Sequence, residues 1–250
     1  MTNKLIIALD VETVREAREL VARLRGFAGM FKIGSQLFTA AGPDFVREIV
    51  GGGGRVFLDL KFHDIPHTVA SAAREAARLG VSLFNVHASG GAEMMRRAAE
   101  ATVETAAREG FVRPELIAVT VLTSADAATL AEMGVDDSPE TQVVRLARLA
   151  ESCGLDGVVA SPHEVAPVRA AVGRADFLLV TPGVRSLGAP HGDQMRVMTP
   201  AEAVRAGASY LVVGRAIIGA PDPARAAQEI ADEMTWAAAG EDNTGDTLSS

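Results

Sequence analysis

The chain has 250 residues, of which 48% are hydrophobic, and its formal net charge is −8. This length allows one domain with a large buried core, and the acidic balance supplies no basic surface for a nucleic acid or an anionic membrane. Cys153 is the only cysteine, which excludes an intrachain disulfide, and no apolar run reaches the length of a signal peptide or a membrane span, so we expect a cytoplasmic protein.

Eight short runs rich in leucine or β-branched residues recur along the chain, with amphipathic helical stretches between them. They span residues 4–10, 30–34, 55–61, 83–87, 116–123, 157–161, 177–181 and 210–214. Runs that are continuously apolar are typical of parallel strands covered on both faces, and the intervening helices provide the crossovers that such strands need. Eight units of this kind predict an α/β fold, the (β/α)8 or TIM barrel, as one domain over residues 1–236.

Sequence signals for helix starts agree with this division. Thr13 with Glu16, and Thr199 with Glu202, have the spacing of a capping box, and Ser138 precedes a proline as an N-cap would. The final segment, 237–250, is composed of small and acidic residues without a core-forming pattern. We expect it to be a disordered tail, and we assign it no function.

Polar and glycine residues collect where the predicted strands end. They are Asp10, Lys32, Asp59, Lys61, Asn85, His87, Thr123, Pro182, Arg185, Gly214 and Arg215. Functional residues of an α/β barrel gather at this end. One Asp–Lys pair alone would indicate a structural ion pair, but four or five charges at one barrel mouth are costly unless a ligand uses them.

The third strand carries the densest group of charges. Asp59 and Lys61 are two residues apart, so their side chains point the same way, and Asp64 lies in the loop just beyond. A cation flanked by carboxylates is therefore expected.

These three residues form a D-x-K-x-x-D motif within the string DLKFHDIPHT. The segments IALD, FKIG, NVHASGG, TVLTS, VTPGVR, GDQMRVMTP and VVGRAI occur in order around it. Over residues 4–235 the chain resembles the bacterial branch of the orotidine monophosphate decarboxylase suprafamily. The resemblance implies decarboxylation of orotidine 5′-monophosphate to uridine 5′-monophosphate, the last step of de novo pyrimidine nucleotide synthesis, without a cofactor.

The resemblance also implies roles for single residues around the reacting carbon. Lys61 would be the proton donor, and Asp59 would lie beside the substrate carboxylate. Lys32 and Asp10 would contact the ribose hydroxyls and complete the charged network. Thr123 would form a hydrogen bond with the pyrimidine.

Two further groups follow from the same resemblance. In a homodimer with shared active sites, Asp64, Ile65 and Thr68 would enter the neighbouring subunit's site. The substrate phosphate would be bound by Arg185, Gln194, Gly214 and Arg215, next to Pro182. The long segment 183–199 is interpreted as a lid that closes over this phosphate, because long loops in compact domains are usually functional.

Three alternatives were weighed against this interpretation. His63, Asp64 and His67 could be drawn as metal ligands, but two histidines four residues apart are common by chance, a full ligand set with a second shell is not evident, and the resemblance implies no metal. A magnesium-dependent sugar-phosphate decarboxylase or aldol-type synthase of the same suprafamily is disfavoured by Lys32, which would repel the ion. A nucleotide-binding protein without activity is disfavoured by the intact charge cluster. Separately, His87 is interpreted as a packed histidine and not as a base.

Overall fold

Eight parallel strands form a closed barrel in which each strand pairs with the next in chain order and the eighth pairs with the first. The structure, a computed structural model, describes residues 4–184 and 198–240. The strands are β1 Leu5–Ala8, β2 Met30–Gly34, β3 Val56–Phe62, β4 Leu83–His87, β5 Glu115–Val119, β6 Gly157–Val159, β7 Leu178–Pro182 and β8 Tyr210–Val213. The predicted TIM barrel is confirmed.

The helices surround the barrel and cover the outer faces of the strands. They are α1 Val14–Leu24, α2 Ser35–Gly51, α3 Pro66–Arg78, α4 Gly91–Glu109, α5 Ala127–Glu132, α6 Pro139–Ser152, α7 Val165–Ala171, α8 Pro200–Arg205, α9 Arg215–Ile218 and α10 Pro223–Ala239. In the described ranges, no helix is long and apolar enough to cross a membrane.

The alternation of side chains along each strand divides the core into two parts. Ile6, Met30, Phe57, Leu83 and Ile117 belong to a small cluster inside the barrel. A much larger cluster fills the layer between the strands and the helices. Both faces of the strands are therefore apolar, which explains why the strands appear in the sequence as continuous apolar runs.

The predicted helix starts are confirmed by hydrogen bonds. Thr13 and Glu16 form a reciprocal capping box at α1, and Thr199 and Glu202 form another at α8. Ser138 caps α6 by accepting from the backbone N–H three residues later. Each cap satisfies backbone donors that the first helical turn leaves without partners.

The ends of one helix and two strands differ from the sequence expectation. Helix α10 continues to Ala239, with Ala237 packed in the core, so the expected boundary at residue 236 is three residues too early. Strands β1 and β5 end before Asp10 and Thr123, which lie in the loops that follow. Loops at this position can extend side chains over the barrel mouth.

Candidate active site

A cavity of about 300 Å³ opens at the carboxyl ends of the strands. Its floor is apolar and includes Phe57, Val119, Val180 and Val212 from the barrel interior. Eight residues predicted from the sequence line it: Asp10, Lys32, Asp59, Lys61, Thr123, Pro182, Gly214 and Arg215. A mostly apolar pocket with a few convergent polar groups is the usual form of a small-molecule site.

Four charged side chains form a row of alternating sign along one wall of this cavity. Lys61 Nζ lies 2.7 Å from Asp59 Oδ1, and Lys32 Nζ lies 3.2 Å from Asp59 Oδ2. Lys32 Nζ also lies 3.1 Å from Asp10 Oδ1. Lys61 is more than a third exposed, whereas Asp59 and Lys32 are largely buried. The row therefore places an accessible ammonium group beside a buried carboxylate.

The neighbouring charges keep the buried pair ionised. Burial raises the pKa of Asp59, but the charges of Lys32 and Lys61, with hydrogen bonds from Lys61 and Asn85, outweigh it and leave this pKa below its ordinary value. Burial lowers the pKa of Lys32, and the charges of Asp59 and Asp10 outweigh it and leave this pKa raised. The two shifts agree, so both groups are charged at neutral pH.

The backbone of β3 is irregular at the D-x-K-x-x-D motif. Lys61 has a φ of 53°, in the left-handed region, and the pairing of β3 with β4 changes register between Leu58 and Phe62. Asn85 of β4 lies opposite this irregularity and is fully buried. Its side chain donates to Asp59 and accepts from the backbone N–H of Lys61. Asn85 was expected only as a polar residue at a strand end, without a role of its own.

A single chain does not bring all predicted site residues together. Asp64 accepts a hydrogen bond from the backbone N–H of Ile65 and forms no ion pair with Lys61 of its own chain, so a lysine flanked by a second carboxylate stays a prediction. Ile65 is 67% exposed, and Thr68 is also exposed at the start of α3. These three side chains lie outside the cavity wall that their own chain forms.

The expected phosphate end is described only in part. Gly214 follows β8, Arg215 begins α9, and both line the cavity. Arg185 and Gln194 lie outside the described residues. The segment that contains them leaves and rejoins the barrel at Val184 and Met198, which pair as an isolated parallel bridge. Its two ends are therefore adjacent at the mouth of the cavity.

The histidines near the motif do not form a metal site in the described part of the chain, where no group of three or more His, Cys, Asp or Glu side chains has suitable geometry. The rings of His63 and His87 lie 5.5 Å apart. Burial, followed by the nearby His63 and Lys61, lowers the pKa of His87. His87 is therefore neutral at physiological pH and packs against a second ring.

The fold and the cavity define the class of protein. A parallel barrel with charged side chains at the carboxyl ends of its strands, around a closed apolar floor, is the arrangement of a TIM-barrel enzyme acting on a small polar molecule.

Comparison with known proteins identifies the family. A family model described as Orotidine 5'-phosphate decarboxylase / HUMPS family matches residues 3–230. A protein named Orotidine 5'-phosphate decarboxylase from Syntrophotalea carbinolica is 59% identical over 234 residues, which are 94% of this chain and 96% of that protein. One of the same name from Moorella thermoacetica is 56% identical over 233 residues, covering 93% and 92%.

A crystal structure of Orotidine 5'-phosphate decarboxylase from Lactobacillus acidophilus has the same architecture. It matches with a TM-score of 0.81 at 36% identity, over 92% of this chain and 98% of that one. The chain belongs to the orotidine 5′-phosphate decarboxylase / HUMPS family.

Proposed function

We propose that the chain catalyses the decarboxylation of orotidine 5′-monophosphate to uridine 5′-monophosphate and CO2, a step of pyrimidine nucleotide synthesis, in the cytoplasm. The observation that carries the proposal is the buried Asp59 carboxylate held between Lys32 and Lys61 at the wall of the cavity. The names of the two relatives described above support the choice of this reaction within the family.

The reaction needs direct stabilisation of a carbanion, because the ring carbon that loses CO2 has no adjacent carbonyl group able to delocalise the charge as an enolate. Lys61 Nζ, held 2.7 Å from Asp59, presents an ammonium group to the developing charge. A charge fixed before the reaction stabilises the transition state without reorganisation. The same ammonium group then donates its proton to the carbanion as a general acid.

Asp59 has a second effect on the substrate. Its depressed pKa keeps it ionised, so in the complex its negative charge lies beside the substrate carboxylate. When CO2 leaves as a neutral molecule, the negative charge of the substrate carboxylate passes to the ring carbon, where the Lys61 ammonium group stabilises it, and the repulsion between the two facing carboxylates is relieved. The interaction therefore favours the transition state over the bound substrate, which is the condition for a rate increase.

The remaining residues bind the parts of the nucleotide that do not react. Lys32 and Asp10 contact the ribose hydroxyls, and Thr123 contacts the pyrimidine. Gly214 and Arg215, with Pro182 beside them, hold the phosphate together with Arg185 and Gln194. Arginine offers a planar fork of donors that matches a phosphate group, and closure of the segment 183–199 would exclude water from the site.

The reaction requires no metal ion or other cofactor in this proposal. Lys32 Nζ lies within 3.2 Å of carboxylate oxygens of both Asp10 and Asp59, so an ammonium group already occupies the position between the two carboxylates where a divalent cation would bind. This contact disfavours the magnesium-dependent sugar-phosphate reaction.

The experiment is to mix the purified protein with orotidine 5′-monophosphate and follow the loss of the orotate absorbance, with and without EDTA. We expect the same rate in both samples. Activity that disappears with EDTA and returns with magnesium would instead support the magnesium-dependent alternative.

The active site is completed by a second subunit in a homodimer. Asp64, Ile65 and Thr68 are exposed and lie beyond the strand end, where they can extend across a symmetric interface while Lys61 points into its own barrel. Such an interface would also cover the exposed side chain of Ile65. Asp64 of one chain would then flank Lys61 of the other.

Mixing two inactive variants tests this arrangement. In mixed dimers of K61A and D64A, one site has both defects and the other has neither, so random pairing restores about one quarter of wild-type activity. The matched control is a mixture of K61A and D59A. Both residues of a site come from the same chain, so every site in a mixed dimer lacks one of them and no activity returns. If K61A and D64A exchange subunits without recovery, the shared site is refuted and the role of Lys61 stands.

A further inference from the structure

The irregular part of β3 faces a single residue of β4. Leu58 pairs with Phe84, and Phe62 pairs with Val86. Three residues of β3, from Asp59 to Lys61, therefore lie opposite Asn85 alone. Extra residues in one strand of a pair interrupt the ladder and leave backbone groups to be satisfied by other partners.

The Asn85 side chain joins the two functional residues of this bulge. Its Oδ1 accepts from the backbone N–H of Lys61 at 2.8 Å, and its Nδ2 donates to Asp59 Oδ1 at 2.7 Å. The orientation of the amide follows from its partners, because a backbone N–H can only donate and an ionised carboxylate can only accept. Asn85 is fully buried, so no water competes for these bonds.

These two bonds fix the geometry of the charged row. A non-glycine residue in the left-handed region is strained and keeps this conformation only when surrounding contacts hold it. Asn85 holds the Lys61 backbone by its N–H and, with the same amide group, holds the carboxylate that the Lys61 ammonium group contacts. The buried Asn85 amide therefore fixes the position of both the backbone and the side chain of Lys61.

We propose that Asn85 is a positioning residue for the reaction: it sets the distance between Asp59 and the Lys61 ammonium group without touching the substrate. It is absent from the cavity wall that the described residues form, and it bonds to Asp59 and Lys61, which belong to that wall. This inference rests on the proposed function.

The first test is N85A, compared with wild type in the orotate-absorbance assay. We expect kcat to fall about 100-fold, as misplacement of reacting groups by about 1 Å can cause. KM and the affinity for uridine 5′-monophosphate should change by less than about threefold, because the binding residues remain. The matched control is T181V, which alters another fully buried polar strand residue whose hydroxyl has no partner among the described residues. Its kcat should equal that of wild type.

The second test is N85D, which keeps the shape of the side chain. Two lysines hold Asp59 ionised, so the introduced carboxyl group, buried against a like charge, takes up the proton as pH falls. When protonated it can donate to Asp59 and accept from Lys61 N–H, as the amide does. The ratio of N85D to wild-type kcat should therefore rise as pH falls. A purely structural defect would leave this ratio independent of pH.

The outcomes separate this inference from the proposed function. If wild type fails to decarboxylate the nucleotide, the proposed function is wrong. If wild type is active and N85A retains kcat within about threefold, or N85D shows no recovery at low pH, the role of Asn85 is overturned while the function stands. Because N85D is nearly isosteric with the wild-type side chain, its kcat can still test the role of Asn85 if N85A does not fold.

Discussion

The two ends of the barrel both carry charged side chains, and they use them differently. At the carboxyl end, Asp59 and Lys32 contact other side chains beside an open cavity. At the amino end, Arg169 donates to the carbonyl oxygens of Phe177 and Gly207, which precede β7 and β8. The charged side chains at the carboxyl end thus bond to one another, whereas Arg169 at the amino end bonds to the backbone.

An ion pair at the amino end, Arg113 with Asp156, is also bonded to the backbone. Arg113 donates two hydrogen bonds to the carboxylate of Asp156, and that carboxylate also accepts the backbone N–H of Leu116. A group bonded to backbone cannot turn towards a ligand without leaving the backbone group unsatisfied, which is costly. The partners of a charge, more than the number of charges, therefore distinguish a catalytic cluster from a structural one.

Two carboxyl groups, one at each end, also differ in pKa. Asp59 has a lowered pKa because the surrounding lysines and amide outweigh burial. Glu115, at the start of β5, has a raised pKa because burial and the nearby Asp156 outweigh two arginines. Its Oε2 has no hydrogen-bond partner in the described part of the chain. The surroundings at the carboxyl end thus stabilise the negative charge of Asp59, and those at the amino end destabilise the negative charge of Glu115.

The largest effect is expected from K61A, which removes the proposed proton donor at the carboxyl end. Turnover should be almost abolished, while the circular dichroism spectrum and the binding of uridine 5′-monophosphate persist. A variant with turnover within tenfold of wild type, about 1.4 kcal/mol of barrier, contradicts the role of Lys61.

A smaller and more selective effect is expected from R215A at the same end. Its kcat/KM for the nucleotide should fall about 100-fold or more, which is several kcal/mol of transition-state stabilisation, because energy from phosphate binding supports the reaction. Turnover of the nucleoside without phosphate should change little. Equal losses on both substrates would indicate general damage to the barrel.

At the amino end, D156A should affect stability and leave catalysis intact. It removes the paired acceptor of Arg113 and of the Leu116 amide, and hydrogen bonds to charged groups contribute about 1.5–3 kcal/mol each. Urea unfolding should show this loss, with kcat unchanged below the transition. A fall in the kcat of D156A without a fall in its stability would contradict the structural role of the amino end.

The smallest effect, and the opposite sign, is expected from E115Q. A raised pKa means that Glu115 contributes stability that is present below its unfolded pKa, about 4.3, and is lost as pH rises through the folded pKa. At pH 7 the charged form is destabilising, so E115Q should have the higher Tm, and the difference should shrink towards pH 4. A difference that is constant with pH contradicts this account.

Much of the fold could be predicted because the pattern that produces it is local. Strands covered on both faces must be apolar throughout, and capping residues such as Thr13 and Ser138 satisfy helix ends within a few positions. The position of Asp59 and Lys61 followed from the same reasoning, because parallel strands of a barrel end at one mouth.

The details of the charged cluster were not predictable in this way. No sequence signal places a lysine in the left-handed region, since the bulge depends on how β3 pairs with β4. The role of Asn85 depends on that bulge, although an asparagine within the apolar string LFNVHA could have indicated a buried partner. The proposed contact of Asp64 with Lys61 is made across a dimer interface, and spacing along one chain cannot indicate such a contact.

The left-handed backbone of Lys61 has a consequence for how position 61 changes under selection. This conformation costs most residues about 1–2 kcal/mol, and glycine avoids the cost. Selection for abundance and selection for turnover therefore act in opposite directions at one codon. In a library randomised there, sorting cells by the amount of folded protein should enrich glycine and asparagine, whereas growth without an external pyrimidine should retain lysine alone.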